Sequence, residues 1–519
     1  MKPATSGRGH WRQADRHRGG PAPRGPATRG CRGNLRCEAG CGARARHWLV
    51  LLGWLAMALP VLTGAAPAMA VEMWVATQLP LAEASVSNPQ RGFAVALNGT
   101  RAVFGARFDG PAGAGRVYVF FWNGAVWSQE AILEGAVPDG QFGIAVALCG
   151  DTLAVGAVGE ERDGQLPTGA VHVFVGTGLD GSRQWSEKST VVGDPGVRQV
   201  GRAVTCDNEW LAVAGARAMP DGAHGIVRVY PLAPHQGIEP GSQGELLSRV
   251  DMQVGDGFGE SLAMAAGILV VGAPTHAGGG LPAAGAAYVY VPTPAISLQP
   301  VATLRAPDAA ADSNFGSAVT MSSTGDTVAV GSAGAPWPST GIGRPGAVYV
   351  FASGAGSWTQ QARLAPSPAS AGAGARFGQA VAVDGELLVV GAPQHAHDDR
   401  APATGAAFLF QRDLAGNWAE VPGAAATTPA PVHALYGFAV ALSQRIFLVG
   451  APLADGRAGA AFAFVPIPEE AAAARAGTSV RPTTVAPPAA VPAQPTAAAP
   501  PAAARSVATV RFAGLAVPP

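Results

Sequence analysis

The chain has 519 residues, 70 of them Gly and 44 Pro; 13% are charged, 48% are hydrophobic, and the formal net charge is zero. So neutral a chain offers nucleic acid or an acidic membrane surface no overall electrostatic attraction. Its Gly and Pro content suits short strands joined by turns better than helices, and its apolar content is too high for a disordered middle.

Residues 1–46 carry Lys2 and ten arginines against only Asp15 and Glu38. This stretch reads as a disordered, basic, low-complexity extension. Within residues 47–70 come the apolar run Trp48 to Leu62 and then Ala68-Met69-Ala70. A basic segment, a short apolar core and a small-residue site predict a Sec-type signal peptide cleaved before Val71. The alternative is an uncleaved anchor helix, the only expected route to a membrane, although the apolar run is at the short end for spanning one. Either way the remainder is expected to be secreted, periplasmic or on the cell surface. Cys31, Cys37 and Cys41 fall in the basic segment and lack the paired spacing of a zinc site.

From there on the chain repeats. A glycine-anchored strand recurs at Gly92, Gly143, Gly201, Gly259, Gly316, Gly378 and Gly437, at intervals between 51 and 62 residues. Seven copies at a near-constant period mark a repeat architecture. In each copy a short turn leads to an apolar strand ending in a second glycine: Gly105, Gly156, Gly215, Gly272, Gly331, Gly391 and Gly450. A variable loop follows, and then a third strand alternating small with aromatic or β-branched residues, as in Gly115-Arg-Val-Tyr-Val-Phe120. Between copies lies a more polar fourth strand, often led by Trp: Trp127, Trp185, Trp358, Trp418. The seventh copy has none after it, whereas an unattached one, Trp74 to Leu79, precedes the first. The prediction is an all-β, seven-bladed propeller over residues 71–467, closed into a ring by its N-terminal strand. Residues 468–519 form an Ala/Pro-rich tail that cannot bury a core.

Phe-Gly opening one strand and Val-Gly-Ala-Pro closing the next (Val271–Pro274, Val390–Pro393, Val449–Pro452) resemble FG-GAP repeats, the units of the integrin α-subunit propeller and of many bacterial surface proteins. The resemblance covers about 74 to 465. It implies a seven-bladed propeller in an extracellular setting, often engaged in adhesion or ligand binding. It does not bring the integrin calcium sites, which need a D-x-D-x-D-G-like run in the first turn of a blade. The nearest approaches, Asp207 with Glu209 and Asp384 with Glu386, read as polar hairpin turns. The chain therefore looks closer to a short-turn bacterial form of the repeat.

The most metal-like cluster is His395, His397, Asp398 and Asp399, two imidazoles and two carboxylates that could ligate zinc or another divalent ion. Repeat symmetry puts His276 and His224 in equivalent loops, with Glu160, Glu161, Asp163 and Asp221 on the same rim. The pattern is loose, and solvated variable loops are the preferred reading. Cys149 and Cys206 fall in nearly the same turn of adjacent copies, so a disulfide between blades is a candidate. Two unpaired thiols are the preferred reading there. No nucleophile elbow, zinc-protease motif or phosphate loop is present in the sequence. The Trp residues could form a sugar platform, but their repeat phase favours packing. A monomer without a cofactor is expected, binding a protein or glycan at its loop rim and no nucleic acid. The function expected first is a binding, adhesion or structural scaffold, not an enzyme; the alternative is a carbohydrate-active hydrolase with acids at the channel mouth.

Overall fold

Val, Ile, Phe and Tyr at short intervals, punctuated by glycine turns, fold each repeat into a four-stranded antiparallel sheet. In blade 1 the strands run Arg91–Asn98, Arg101–Ala106, Arg116–Trp122 and Trp127–Glu134, innermost to outermost. Six further sheets follow this order, making seven blades in a ring. The computed structural model describes residues 73–80, 88–161, 167–194, 196–219, 222–247, 253–291, 299–336, 343–354, 356–366, 374–396, 404–421, 433–467 and 508–512. The basic segment, the expected signal peptide and most of the tail lie outside these residues. Among the described residues no helix is long and apolar enough to cross a membrane.

The second strand of each blade is sandwiched on both faces, which is why it reads as an unbroken apolar run. Leu387–Ala392 and Ile446–Ala451 are buried at all positions. In the third strand the alternation separates two buried faces. Tyr349 and Phe351 of blade 5 point into the core shared with blade 4, where they meet Ala287 and Val289. Val348 and Val350 point the other way, toward Phe377, Phe408 and Phe410 of blade 6. Small residues on one blade thus receive the rings of the next, and seven such cores lie between the seven blades. Each buried aromatic side chain contributes about 1.5–3 kcal/mol of transfer free energy.

Backbones approach closely where the glycines stand. A Cβ built on Gly105 would lie 1.9 Å from the carbonyl oxygen of Gly143 in the next blade, and one on Gly450 2.1 Å from that of Gly92. The second contact joins blade 7 to blade 1. Closure is completed by Met73–Gln78, which pairs antiparallel with Phe462–Ile467 as the outer strand of blade 7. Trp74 packs on Phe447 at 6.2 Å and donates its indole N–H to the Arg445 carbonyl at 3.1 Å.

Two features depart from the reading of the sequence. Blade 3 has a short fourth strand, Glu245–Leu247, and two extra pieces, Val197–Arg198 and Gly237–Ile238. The tail is not wholly without structure: Ala508–Phe512 lies parallel to Gln184–Gly193, the outer strand of blade 2. That segment contains no proline and can therefore join a ladder that its Pro-rich surroundings could not.

Candidate functional site

The innermost strands line the central channel with small and aliphatic side chains, among them Ala145, Val204, Ala318 and Val440. At the end where these strands begin, the residue after each first glycine stands at the channel mouth. Around the ring these are Phe93, Ile144, Arg202, Ser317, Gln379 and Phe438, with Glu260 of blade 4 in the cavity beside them. Sequence reasoning placed function in the loop rim and passed over this column, although aligning the repeats on the first glycine shows Phe, Ile, Arg, Glu, Ser and Gln at this position ahead of a run of mostly small and aliphatic residues.

The mouth is divided. Over blades 4 to 6 lies a cavity of about 420 Å³, lined by Glu260, Thr275, Asn314, Ser317, Arg376 and Gln379 among others. Glu260 accepts from Arg202 at 3.1 Å, and a second nitrogen of Arg202 donates to the Phe258 carbonyl at 2.9 Å. Burial pushes the Arg202 guanidinium below its usual range. Asn314 and Arg376 sit in the left-handed region, at φ 53° and 56°, in the corner that turns the chain into its first strand. Across the channel, Phe93 and Phe438 meet at 4.9 Å. Arg107 lies 4.0 Å above the Phe93 ring and 4.7 Å from that of Phe108, and its Nε donates to Gln90 at 2.7 Å. The mouth therefore offers planar polar groups on one side and rings with a stacked cation on the other.

The histidine cluster is not a rim site as a whole. His395 is 3% exposed, its ring edge-on to Phe408 at 5.4 Å. Its N–H donates to the Ala392 carbonyl, and its own carbonyl accepts from Gly405. The position is the buried root of the loop, closed by those two backbone bonds, and not part of its solvated tip. Asp109, Glu160, His276, Ala335 and Ala454 occupy the same place in other blades, all of them buried. His397, Asp398 and Asp399 lie outside the described residues, as do Asp163 and Asp221. Glu161 is exposed and His224 half-buried. Among the described residues no group of three or more His, Cys, Asp or Glu is disposed to hold a metal.

The loop-root position instead carries buried polar pairs that sequence reasoning missed. Asp109 is held by Tyr118 Oη at 2.6 Å and Arg91 Nε at 3.0 Å. Burial opposes its ionisation, but these donors and the Gly110 N–H outweigh burial and hold its carboxyl below the usual range. His172 lies between Glu160 at 2.7 Å and Glu187 at 2.8 Å. Burial again opposes the charge, and the two carboxylates overcome it, raising the imidazole to about 9. His276 meets Asp256 at 3.0 Å. The signal was available in the repeats: a polar residue three positions after the second strand coincides with Tyr118, His172 or Tyr288 as third residue past the glycine that opens the third strand.

At the opposite channel end the first turns are laced together. Asp207 accepts from the Glu209 and Trp210 N–H groups, both at 2.8 Å, and from Gly267 of the next blade at 3.0 Å. Asp384 accepts from Ser323 Oγ at 2.8 Å and the Gln444 N–H at 2.9 Å. A cation would have to displace these donors. Cys149 and Cys206 are bonded to each other between blades 2 and 3, with Cα atoms 6.0 Å apart, where two thiols had been the preferred reading. The Trp residues pack: Trp127 is 5% exposed and lies against Trp122 at 5.4 Å.

The FG-GAP repeat family matches residues 127–174, 242–290, 299–351 and 358–410. Two of these ranges open on the outer strands at Trp127 and Ser357–Leu364, so the family's unit is an outer strand plus the three inner strands of the following blade. No curated protein matches the chain. A solved structure from Bacteroides uniformis, named as a 6-phosphogluconolactonase, is similar at 12% identity and a TM-score of 0.40, covering 67% of this chain and 88% of its own; a likeness so slight carries no argument. With the repeated Phe-Gly corners and the matched repeats, the chain carries FG-GAP repeats folded as a seven-bladed β-propeller.

Proposed function

We propose that this protein is an extracytoplasmic binding scaffold that takes a protein or glycan ligand at the channel mouth. The observation that carries the reading is the divided mouth: a polar cavity over blades 4 to 6 facing the Phe93–Phe438 pair with Arg107 stacked on it. Planar amide and guanidinium groups opposite an aromatic surface suit a ligand that is polar along its edges and apolar on its faces. A disulfide between blades and the signal-like segment of residues 47–70 both favour an oxidising space outside the cytoplasm. The hydrolase reading is weaker. Glycoside hydrolysis uses two carboxyl groups roughly 5 to 9.5 Å apart. Glu260 is the single carboxylate among the described residues lining the mouth cavity, and it is tied to Arg202.

The test is a glycan and peptide array probed with the chain from Val71 onward, beside a variant carrying Arg376→Ala and Gln379→Ala. The reading expects one ligand class to bind and the double variant to lose at least tenfold in affinity. Ligands that bind both proteins equally, or turnover of a chromogenic glycoside, would overturn it.

A further inference from the structure

An outer strand ends its blade, and a bare edge presents unpaired N–H and C=O groups to any extended chain. In blades 1 and 5 the outer strands Trp127–Glu134 and Ser357–Leu364 are exposed or half-exposed at most positions. Blade 2 differs. Ser189, Thr190, Val191 and Val192 of its outer strand are all buried, and Val191 belongs to the core shared with blade 3. From one side Gly237–Ile238 of blade 3 closes on this strand, with the Ile238 N–H donating to Ser189 Oγ at 3.2 Å. Along the edge itself runs Ala508–Phe512, parallel and in register from Ala508 beside Ser189 to Phe512 beside Gly193. Apart from the ring-closing strand of blade 7, this is the one case among the described residues of a blade taking a strand from outside its own repeat. The segment comes from residues 502–513, which hold neither proline nor glycine and include the β-branched Val507, Thr509 and Val510.

We propose that the outer edge of blade 2 is a strand-acceptor site whose resident ligand is the chain's own residues 508–512, bound in cis. Main-chain hydrogen bonds supply the affinity, and the buried run from Ser189 to Val192 selects a strand without proline or charge repulsion. The residues between Ile467 and Ala508 join the strand covalently to the propeller, so its docking is intramolecular. The edge is thereby kept closed to other chains. This site is remote in sequence and in the ring from the cavity over blades 4 to 6, so it stands or falls independently of the ligand proposed for the mouth.

The experiment compares the chain from Val71 to Pro519 with a variant carrying Thr509→Pro and Val510→Pro. Neighbouring residues alternate in a ladder, so one of the two prolines removes a required N–H whatever the phase. Hydrogen exchange is read at residues 189–193, and a fluorescent peptide of residues 505–514 is titrated into each protein. The proposal expects these amides to exchange at least tenfold faster in the variant. It also expects the peptide to bind the variant at least tenfold more tightly than the parent. Equal exchange in the two proteins would overturn it, as would a peptide that binds neither or binds both alike. Protection that fades on dilution would also overturn it, since the edge would then be filled by a second copy.

Discussion

At His172 the fold holds a charged imidazole between two carboxylates under the rim of blade 2. Its folded-state value of about 9 lies above the ordinary 6.5, so the charged form is favoured by folding. The stabilisation is fully present below pH 6.5 and is lost as the pH rises through about 9. On the order of 3 kcal/mol follows from that difference. Urea midpoints measured from pH 6 to 10 are expected to fall across this window in the parent and to change little in His172→Gln. A second residue-scale test concerns Leu435, which holds φ at 54° in the corner before Tyr436. Leu435→Asn is expected to raise stability by about 1 kcal/mol, because Asn tolerates the left-handed region and Leu does not; thermal melts of the two proteins check this. Neither residue stands out when its own segment is read alone. A single His among strands looks like any core histidine, and its partners Glu160 and Glu187 lie in different segments of the blade. Only the folded sheet brings the three together.

Elements were far more legible than residues, for a physical reason. The second strands, such as Leu387–Ala392, are buried on both faces and so write an unbroken apolar run that no loop would carry. The glycines were legible too, because a side chain there would strike the next blade's backbone. Gly450→Ala places a Cβ 2.1 Å from the Gly92 oxygen. It is expected to destabilise the protein by about 3 kcal/mol, read as a lower denaturant midpoint. Ala at Gly354, which has open space around it, is expected to have little effect. Loop roots misled because burial there is set by the fold of the whole corner: His395 looks solvated in a run ending His-Asp-Asp, yet two backbone bonds draw it inward. The strand at Ala508–Phe512 could not be read either, since what it pairs with is an edge formed by residues far away in the chain.

For the molecule as a whole, the disulfide and the closing strand govern persistence. Cys149 and Cys206 lie 57 positions apart and tie two neighbouring blades. By the chain-entropy relation this link contributes about 4 kcal/mol. Cys149→Ala with Cys206→Ala, or reduction of the parent, is expected to lower the denaturant midpoint accordingly; mass spectrometry with and without reductant reports whether the bond is present. Closure itself was readable because an unmatched strand at Trp74 balanced a missing one after Phe464, a count that needs no three-dimensional knowledge.

That same offset between repeat and blade sets an order of events. The strand Met73–Gln78 leaves the ribosome ahead of all seven repeats, yet its partner Phe462–Ile467 is made only with the seventh. Throughout synthesis one strand must wait, and until it docks the growing arc has two sticky ends. The bond between Cys149 and Cys206 can form once blades 2 and 3 have emerged, well before the ring shuts, and so gives the arc a covalent anchor during that interval. A chain interrupted at any later blade would keep both ends open, and its route would be self-association.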